Sequence, residues 1–274
     1  MLDKKRQGKK ITMLTAYDFF MAKLVDGAGV DAILVGDSLG MVVLGYETTT
    51  SVTMDDMIRH ASAVRRGAVS ALVIGDMPYN SYSDPVIAVK NAKRFAEESK
   101  CDAVKLEGEC YEAIKAILDV GIPVLGHLGL TPQTAQEFKV QGKEIADAEK
   151  IIGASEELER VGCFAVVLEC IPFELARLVS SRLKIPTIGI GAGVDCDGQV
   201  LVINDLLGLF DRFKPKFVKK FADLGIVAQE AIKRYKDAVE KREFPGPENS
   251  YAMNKDNLQK VKYSLEKSIN GTAS

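Results

Sequence analysis

Acidic and basic side chains recur at the ends of short apolar runs in this 274-residue chain. Asp37 and Ser38 close the run AILVGDS, Asp76 closes ALVIGDM, and Glu169 nearly closes FAVVLEC. Lys105 and Glu107 sit inside DAVKLEG, and His127 lies near the end of PVLGHLG. An acid after a strand has an ordinary role as the cap of the following helix, and that reading fits Asp37 or Asp76 taken singly. It weakens for Lys105 and Glu107, which stand two residues apart and so share one face of a strand. On a strand with no solvent face, such a pair needs either mutual pairing or a ligand. Glu169 raises the same question. Asp37, Asp76 and Glu107 form an oxygen-rich set suited to Mg²⁺, an ion that takes one or two carboxylates directly and keeps several waters. Lys105 would balance that charge and bind an anionic substrate carboxylate. Glu169, in apolar surroundings, is the candidate general base. The set points to metal-assisted carbanion or enolate chemistry.

Positioning these residues falls to eight short runs: 11–18, 32–38, 71–77, 102–108, 123–129, 164–170, 186–193 and 199–205. Each is nearly continuous in apolar and β-branched residues, as parallel strands covered on both faces are. Helical periodicity separates most of them. Thr53 and Asp84-Pro85 are N-terminal helix signals, and Gly121 and Gly162 are C-terminal ones. Further helices are predicted from Pro172 and over Lys216–Arg242. Eight strands in this alternation predict a (β/α)8 TIM barrel, whose active site lies at the C-terminal strand ends. The runs at 186 and 199 leave no room for a full helix between them, and a doubly wound sheet is the runner-up fold. The expected organisation is a catalytic barrel over 1–250 and a polar extension over 251–274, loosely packed or disordered. Val-Gly-Asp at 35–37 and Ile-Gly-Asp at 74–76 form a weak internal echo.

Composition removes several function classes. Hydrophobic residues are 47% and charged residues 27%, which excludes a disordered or low-complexity chain. The net charge of −2 gives no footprint for nucleic acid or an anionic membrane. The stretch Val120–Gln136 lacks charge but is broken by glycine and proline, so it is not a membrane span. Five cysteines without a C-x-x-C pair read as free thiols. With no signal-peptide core at MLDKKRQGKK, the expected location is the cytoplasm. Two histidines cannot build a multi-histidine zinc site. His60 lies beside a helix's apolar stripe and reads as structural, while His127 stands evenly between site and core. GIGAG at 189–193 lacks the third glycine of a dinucleotide fingerprint, since position 194 is Val194. Its expected role is close backbone approach to an anion at the seventh strand.

The segments TAYD (15–18), VGDSLGM (35–41), VKLEG (104–108), GHLGLTPQ (126–133), KVQGK (139–143), VLEC-P (167–172) and GIGAG resemble the ketopantoate hydroxymethyltransferase family. The likeness runs in the family's order from about residue 11 to PGPENS near 250. It departs between Thr131 and Lys139, which looks shorter than in some members, and in the tail after Tyr251. The resemblance implies a TIM barrel, Mg²⁺, and hydroxymethyl transfer from 5,10-methylenetetrahydrofolate to 3-methyl-2-oxobutanoate through a metal-stabilised enolate. It implies that Asp37 and Asp76 bind the metal, with Glu107 as a further acidic residue of the metal site. Asp37, Ser38, Asp76 and Lys105 would hold the keto acid, and Glu169 would accept the proton. It also implies a homo-oligomer, a decamer. A second Mg²⁺-dependent enolate barrel, a carbon–carbon lyase or mutase resembling the isocitrate lyase group, would share the carboxylates. It would carry a Lys-Lys-Cys-Gly-His loop that is absent here. A non-catalytic ligand-binding barrel would not need base, carboxylates and lysine together.

Overall fold

A computed structural model of the chain describes residues 1–135, 139–212 and 215–270. Part of the stretch between Thr131 and Lys139 (136–138), residues 213–214 and the last four residues lie outside that description. Eight parallel strands close into a barrel in sequential order. They are β1 (Ile11–Thr15), β2 (Ala32–Val35), β3 (Leu72–Asp76), β4 (Ala103–Glu107), β5 (Val124–Gly129), β6 (Ala165–Glu169), β7 (Thr187–Ile190) and β8 (Gly198–Leu201).

The apolar runs are continuous because both strand faces are packed. One parity of residues, including Met13, Leu34, Ile74, Leu125, Val167, Ile188 and Val200, fills the barrel interior. The other, including Ile33, Val35, Val73, Val104, Leu106, Val166 and Leu168, packs outward under the helices. Most strands end sooner than the runs predicted. β2 stops at Val35 and β7 at Ile190, because the polar and glycine residues that follow turn out of the sheet.

The helices start where their caps predict. Thr53 and Asp56 form a reciprocal capping box on the helix Met54–Gly67. Asp84 accepts from the Val86 and Ile87 N–H groups at the start of Pro85–Glu97. Gly162, left-handed at φ 109°, ends Ile145–Val161. No helix separates β7 from β8, as the spacing required.

The chain forms two compact units, Met1–Ala222 with the barrel, and Asp223–Ser274. The helix predicted from Lys216 begins only at Leu224. Phe217 instead packs against the barrel's interior cluster, so tertiary packing overrides local helix preference there. The tail, expected to be loosely packed or disordered, carries a helix over Lys255–Asn270. Asn254 accepts from the Asp256 N–H at its start, and Leu258, Val261 and Leu265 recur at helical spacing. No described helix is long and apolar enough to cross a membrane.

Candidate active site

The barrel's inward parity delivers the charged residues to one end. On β3 it runs from Ile74 to Asp76, on β4 from Ala103 through Lys105 to Glu107, on β5 from Leu125 to His127, and on β6 from Val167 to Glu169. Strand register then sets neighbours. Asp76 lies beside Lys105, and Glu107 beside His127. Gly129 lies beside Glu169.

Asp37 reaches the cluster from the turn after β2. A Cβ on Gly36 would sit 2.8 Å from Ser38 Oγ, so glycine makes room for a turn that aims the Asp37 N–H at Asp76 Oδ2, 3.2 Å away. The two echoed Gly-Asp steps therefore meet, but slipped by one residue, because Val35 pairs with Gly75. Ser38 is placed by Tyr17, whose hydroxyl lies 2.8 Å from Ser38 Oγ.

The expected pair of Lys105 and Glu107 is joined by a third partner. Lys105 Nζ lies 2.7 Å from Asp76 Oδ1 and 3.2 Å from Glu107 Oε1. The side chains of all three are at most 5% exposed. Removing ions from water costs several kcal/mol each, so this triad persists only through its mutual pairing and further hydrogen bonds. Burial works against the Lys105 ammonium, yet Asp76 and Glu107 outweigh it and hold its pKa above the ordinary lysine value. Burial would likewise raise Glu107, but Lys105 and His127 pull it down to about 2. Asp37 and Asp76 are driven the other way. Burial and the neighbouring carboxylates raise both, and Asp37 rises well above the usual aspartate range.

His127 belongs to the site. Nδ1 lies 3.2 Å from Glu107 Oε1 and Nε2 lies 3.3 Å from Glu169 Oε2. Neither approach has hydrogen-bond geometry, so the contacts are electrostatic. Burial and Lys105 lower its pKa, but the two glutamates outweigh them and lift it to about 9. The Glu169 side chain is 17% exposed against 3% for Glu107, so it is the carboxylate with access to an incoming molecule. His60 lies elsewhere, with Nδ1 2.6 Å from the Tyr17 carbonyl oxygen, as a structural histidine would.

Sequence reasoning gave no role to Gln133 and Tyr82. Gln133 closes the quoted segment GHLGLTPQ, and that position was the only signal. Its Nε2 donates to Asp37 Oδ2 at 2.9 Å, and its backbone N–H donates to Glu107 Oε2 at 3.2 Å. The Tyr82 hydroxyl donates to Gln133 Oε1 at 2.6 Å. GIGAG shows the expected close approach at its glycines. Phe217 and Phe173 fill the space beside Gly191 and Gly193, so these glycines make room for packing.

The donor set fits a divalent cation. Three buried carboxylates, Asp37, Asp76 and Glu107, gather around one lysine, and burial first, then neighbouring carboxylates, raise Asp37 and Asp76. Among the described residues no three His, Cys, Asp or Glu side chains form a closed metal cage. Beside the cluster, a cavity of about 350 Å³ is lined by Gly129, Leu130, Thr131, Thr134, Ala135, Lys139 and Gln141.

A family model described as ketopantoate hydroxymethyltransferase matches residues 1–247. The chain is 54% identical over 273 residues to a 3-methyl-2-oxobutanoate hydroxymethyltransferase of Acetivibrio thermocellus, covering 96% of each chain. A protein of the same name from Syntrophomonas wolfei is 53% identical over 265 residues, covering 94% of this chain and 96% of the relative. Similar solved structures include phosphonopyruvate hydrolase in complex with oxalate and Mg²⁺ (TM-score 0.59, 12% identity, 99% and 97% of the chains covered). Another is 2,3-dimethylmalate lyase, a PEP mutase/isocitrate lyase superfamily member (TM-score 0.55, 13% identity, 100% and 97% covered). At these identities the likeness to the solved structures is one of fold.

Proposed function

The chain belongs to the ketopantoate hydroxymethyltransferase family, and from that premise we propose that it transfers a hydroxymethyl group from 5,10-methylenetetrahydrofolate to 3-methyl-2-oxobutanoate, giving 2-dehydropantoate for pantothenate synthesis. The observation that carries the reading is the buried set Asp37, Asp76, Lys105 and Glu107, joined through His127 to the more open Glu169.

In this reading Asp37 and Asp76 hold Mg²⁺, and Glu107 supports the metal site from behind Lys105. When bound, the ion supplies a Lewis acid for the keto oxygen and for the charge that develops there. Lys105, fixed between two carboxylates, presents a cation to the substrate carboxylate. Ser38, oriented by Tyr17, offers its hydroxyl to the same molecule. Asp37, Ser38, Asp76 and Lys105 thus hold the keto acid with its C3 toward Glu169. Glu169 takes the C3 proton, and the electron pair of that C–H bond forms the new carbon–carbon bond to the one-carbon unit; the two C–N bonds that tie this unit to the folate break, one water supplies the hydroxyl, and its second proton with the one from C3 goes to the two folate nitrogens. His127, with Nε2 3.3 Å from Glu169 Oε2, lies against that carboxylate on the side facing Glu107. The cavity along Gly129 and Gln141 lies on the Glu169 side and suits the folate.

The lyase or mutase alternative is favoured only by likeness of fold, whereas the relatives above half identity are hydroxymethyltransferases. The remaining parts of the reading are a barrel domain over 1–250 with an extension over 251–274, a cytoplasmic location, and a homo-oligomer of ten chains. The five cysteines are free thiols, which suits a reducing compartment.

A coupled assay for 2-dehydropantoate tests the function. Product should form from 3-methyl-2-oxobutanoate and methylenetetrahydrofolate with Mg²⁺, and cease with chelator. Cleavage of a single substrate without folate, and no product with it, would favour the lyase instead.

A further inference from the structure

Gln133 is 4% exposed and stands on a loop that carries none of the acidic residues, yet it touches two of them. Its amide is fully committed. Nε2 donates to Asp37 Oδ2 at 2.9 Å and to the Met77 carbonyl oxygen at 3.0 Å, and Oε1 accepts from the Tyr82 hydroxyl at 2.6 Å. The opposite amide orientation would aim an oxygen at a carboxylate and a carbonyl, so only one orientation fits. Asp37 depends on this contact. It lies beyond the end of β2, and among the described residues no other hydrogen bond holds its carboxylate. Gln133 engages Oδ2 alone and leaves Oδ1 free to face a ligand. Being neutral, it orients the carboxylate without cancelling the charge that a cation needs; a lysine there would compete.

We propose that Gln133, locked by Tyr82, is a positioning residue that sets the direction of the Asp37 carboxylate in the cation site. This rests on the reading of Asp37 as a cation-holding residue.

Calorimetric titration of Mg²⁺ alone into the full chain tests it. Gln133→Met keeps length and burial but removes both donors. Its Mg²⁺ affinity should fall roughly 10- to 100-fold, as for supporting partners of metal ligands, while thermal unfolding stays cooperative. Tyr82→Phe should weaken binding by roughly three- to tenfold, the effect of one neutral hydrogen bond. The double variant should bind no more weakly than Gln133→Met, because Tyr82 acts through Gln133. Wild-type affinity in folded Gln133→Met, or full additivity in the double variant, overturns the proposal. If Gln133→Met does not fold, Tyr82→Phe decides by itself, and unchanged affinity refutes it. Asp37→Ala is the reference. If it abolishes binding while Gln133→Met keeps wild-type affinity, only the positioning role fails; if it leaves binding intact, both readings fail.

Discussion

A side chain with little access to solvent must still release its proton if it is to act as a base in repeated turnovers. Glu107 and Glu169 illustrate the difference. Glu107 has both oxygens engaged, by Lys105 and by the Gln133 N–H, and is held ionised at about 2. Glu169 has His127 on one side and an opening on the other. The proposed base role therefore rests on Glu169 rather than on Glu107. With Mg²⁺ present, the enzyme should exchange the C3 proton of 3-methyl-2-oxobutanoate with deuterated water. Glu169→Gln should slow that exchange by about 10²–10⁴, the usual worth of a general base. Proton NMR would follow it, and undiminished exchange in the variant would remove Glu169 from this role. At this scale much of the site was legible. Asp37, Asp76, Lys105, Glu107 and Glu169 stand out because charge at the end of an apolar run is costly without a partner. Gln133 and Tyr82 did not, because a neutral polar residue in a loop carries no such cost in the sequence.

The elements position these groups through a few close approaches between backbones. Gly129 ends β5 at φ 95°, and a Cβ there would collide with the Glu169 carbonyl oxygen. The Leu130 N–H bonds that same oxygen at 2.8 Å. Gly129→Ala should destabilise the fold by about 1–3 kcal/mol through backbone strain, and should displace Glu169 as well. Urea unfolding and the exchange assay would check the two effects, and wild-type values in both would contradict the geometry. A second link joins the helix Phe19–Gly27 to the segment before β3. Asp26 Oδ1 accepts from the Ser70 and Ala71 N–H groups at 2.9 and 2.7 Å. The Ala71 bond, foremost, holds the Asp26 carboxyl below its usual value of 3.8. A depressed acid contributes stability above the unfolded pKa and loses it as pH falls through the folded one. Wild type should therefore exceed Asp26→Asn in unfolding free energy above about pH 4, and the difference should shrink as pH falls below that value. A difference that stayed constant over that range would show that the charge plays no part. Helix starts were readable from Thr53 and Asp84, because capping is local. The displaced start at Leu224 was not, since only the folded barrel offers Phe217 its packing site.

For the whole molecule, a site that gathers negative charge should be stabilised by the cation it binds. Mg²⁺ at 100 times its Kd should add about 2.7 kcal/mol to the unfolding free energy, and chelator should remove it. Differential scanning calorimetry would register the gain as a higher Tm, and no Mg²⁺ dependence would count against the site. Sedimentation at ten chain masses would test the decamer. The amino-acid sequence by itself determined eight apolar runs, their alternation with capped helices, and the acids at their ends. Those depend on period and local chemistry, which the chain carries in its own order. Only the tertiary structure decided which charges meet. Barrel closure brings β3, β4, β5 and β6 side by side, and register sets Asp76 against Lys105 and Glu107 against His127. It also folds the loop after β5 inward, so that Gln133 reaches Asp37 across 96 positions in the sequence. Contacts at that separation depend on closure and register, and no local pattern encodes them.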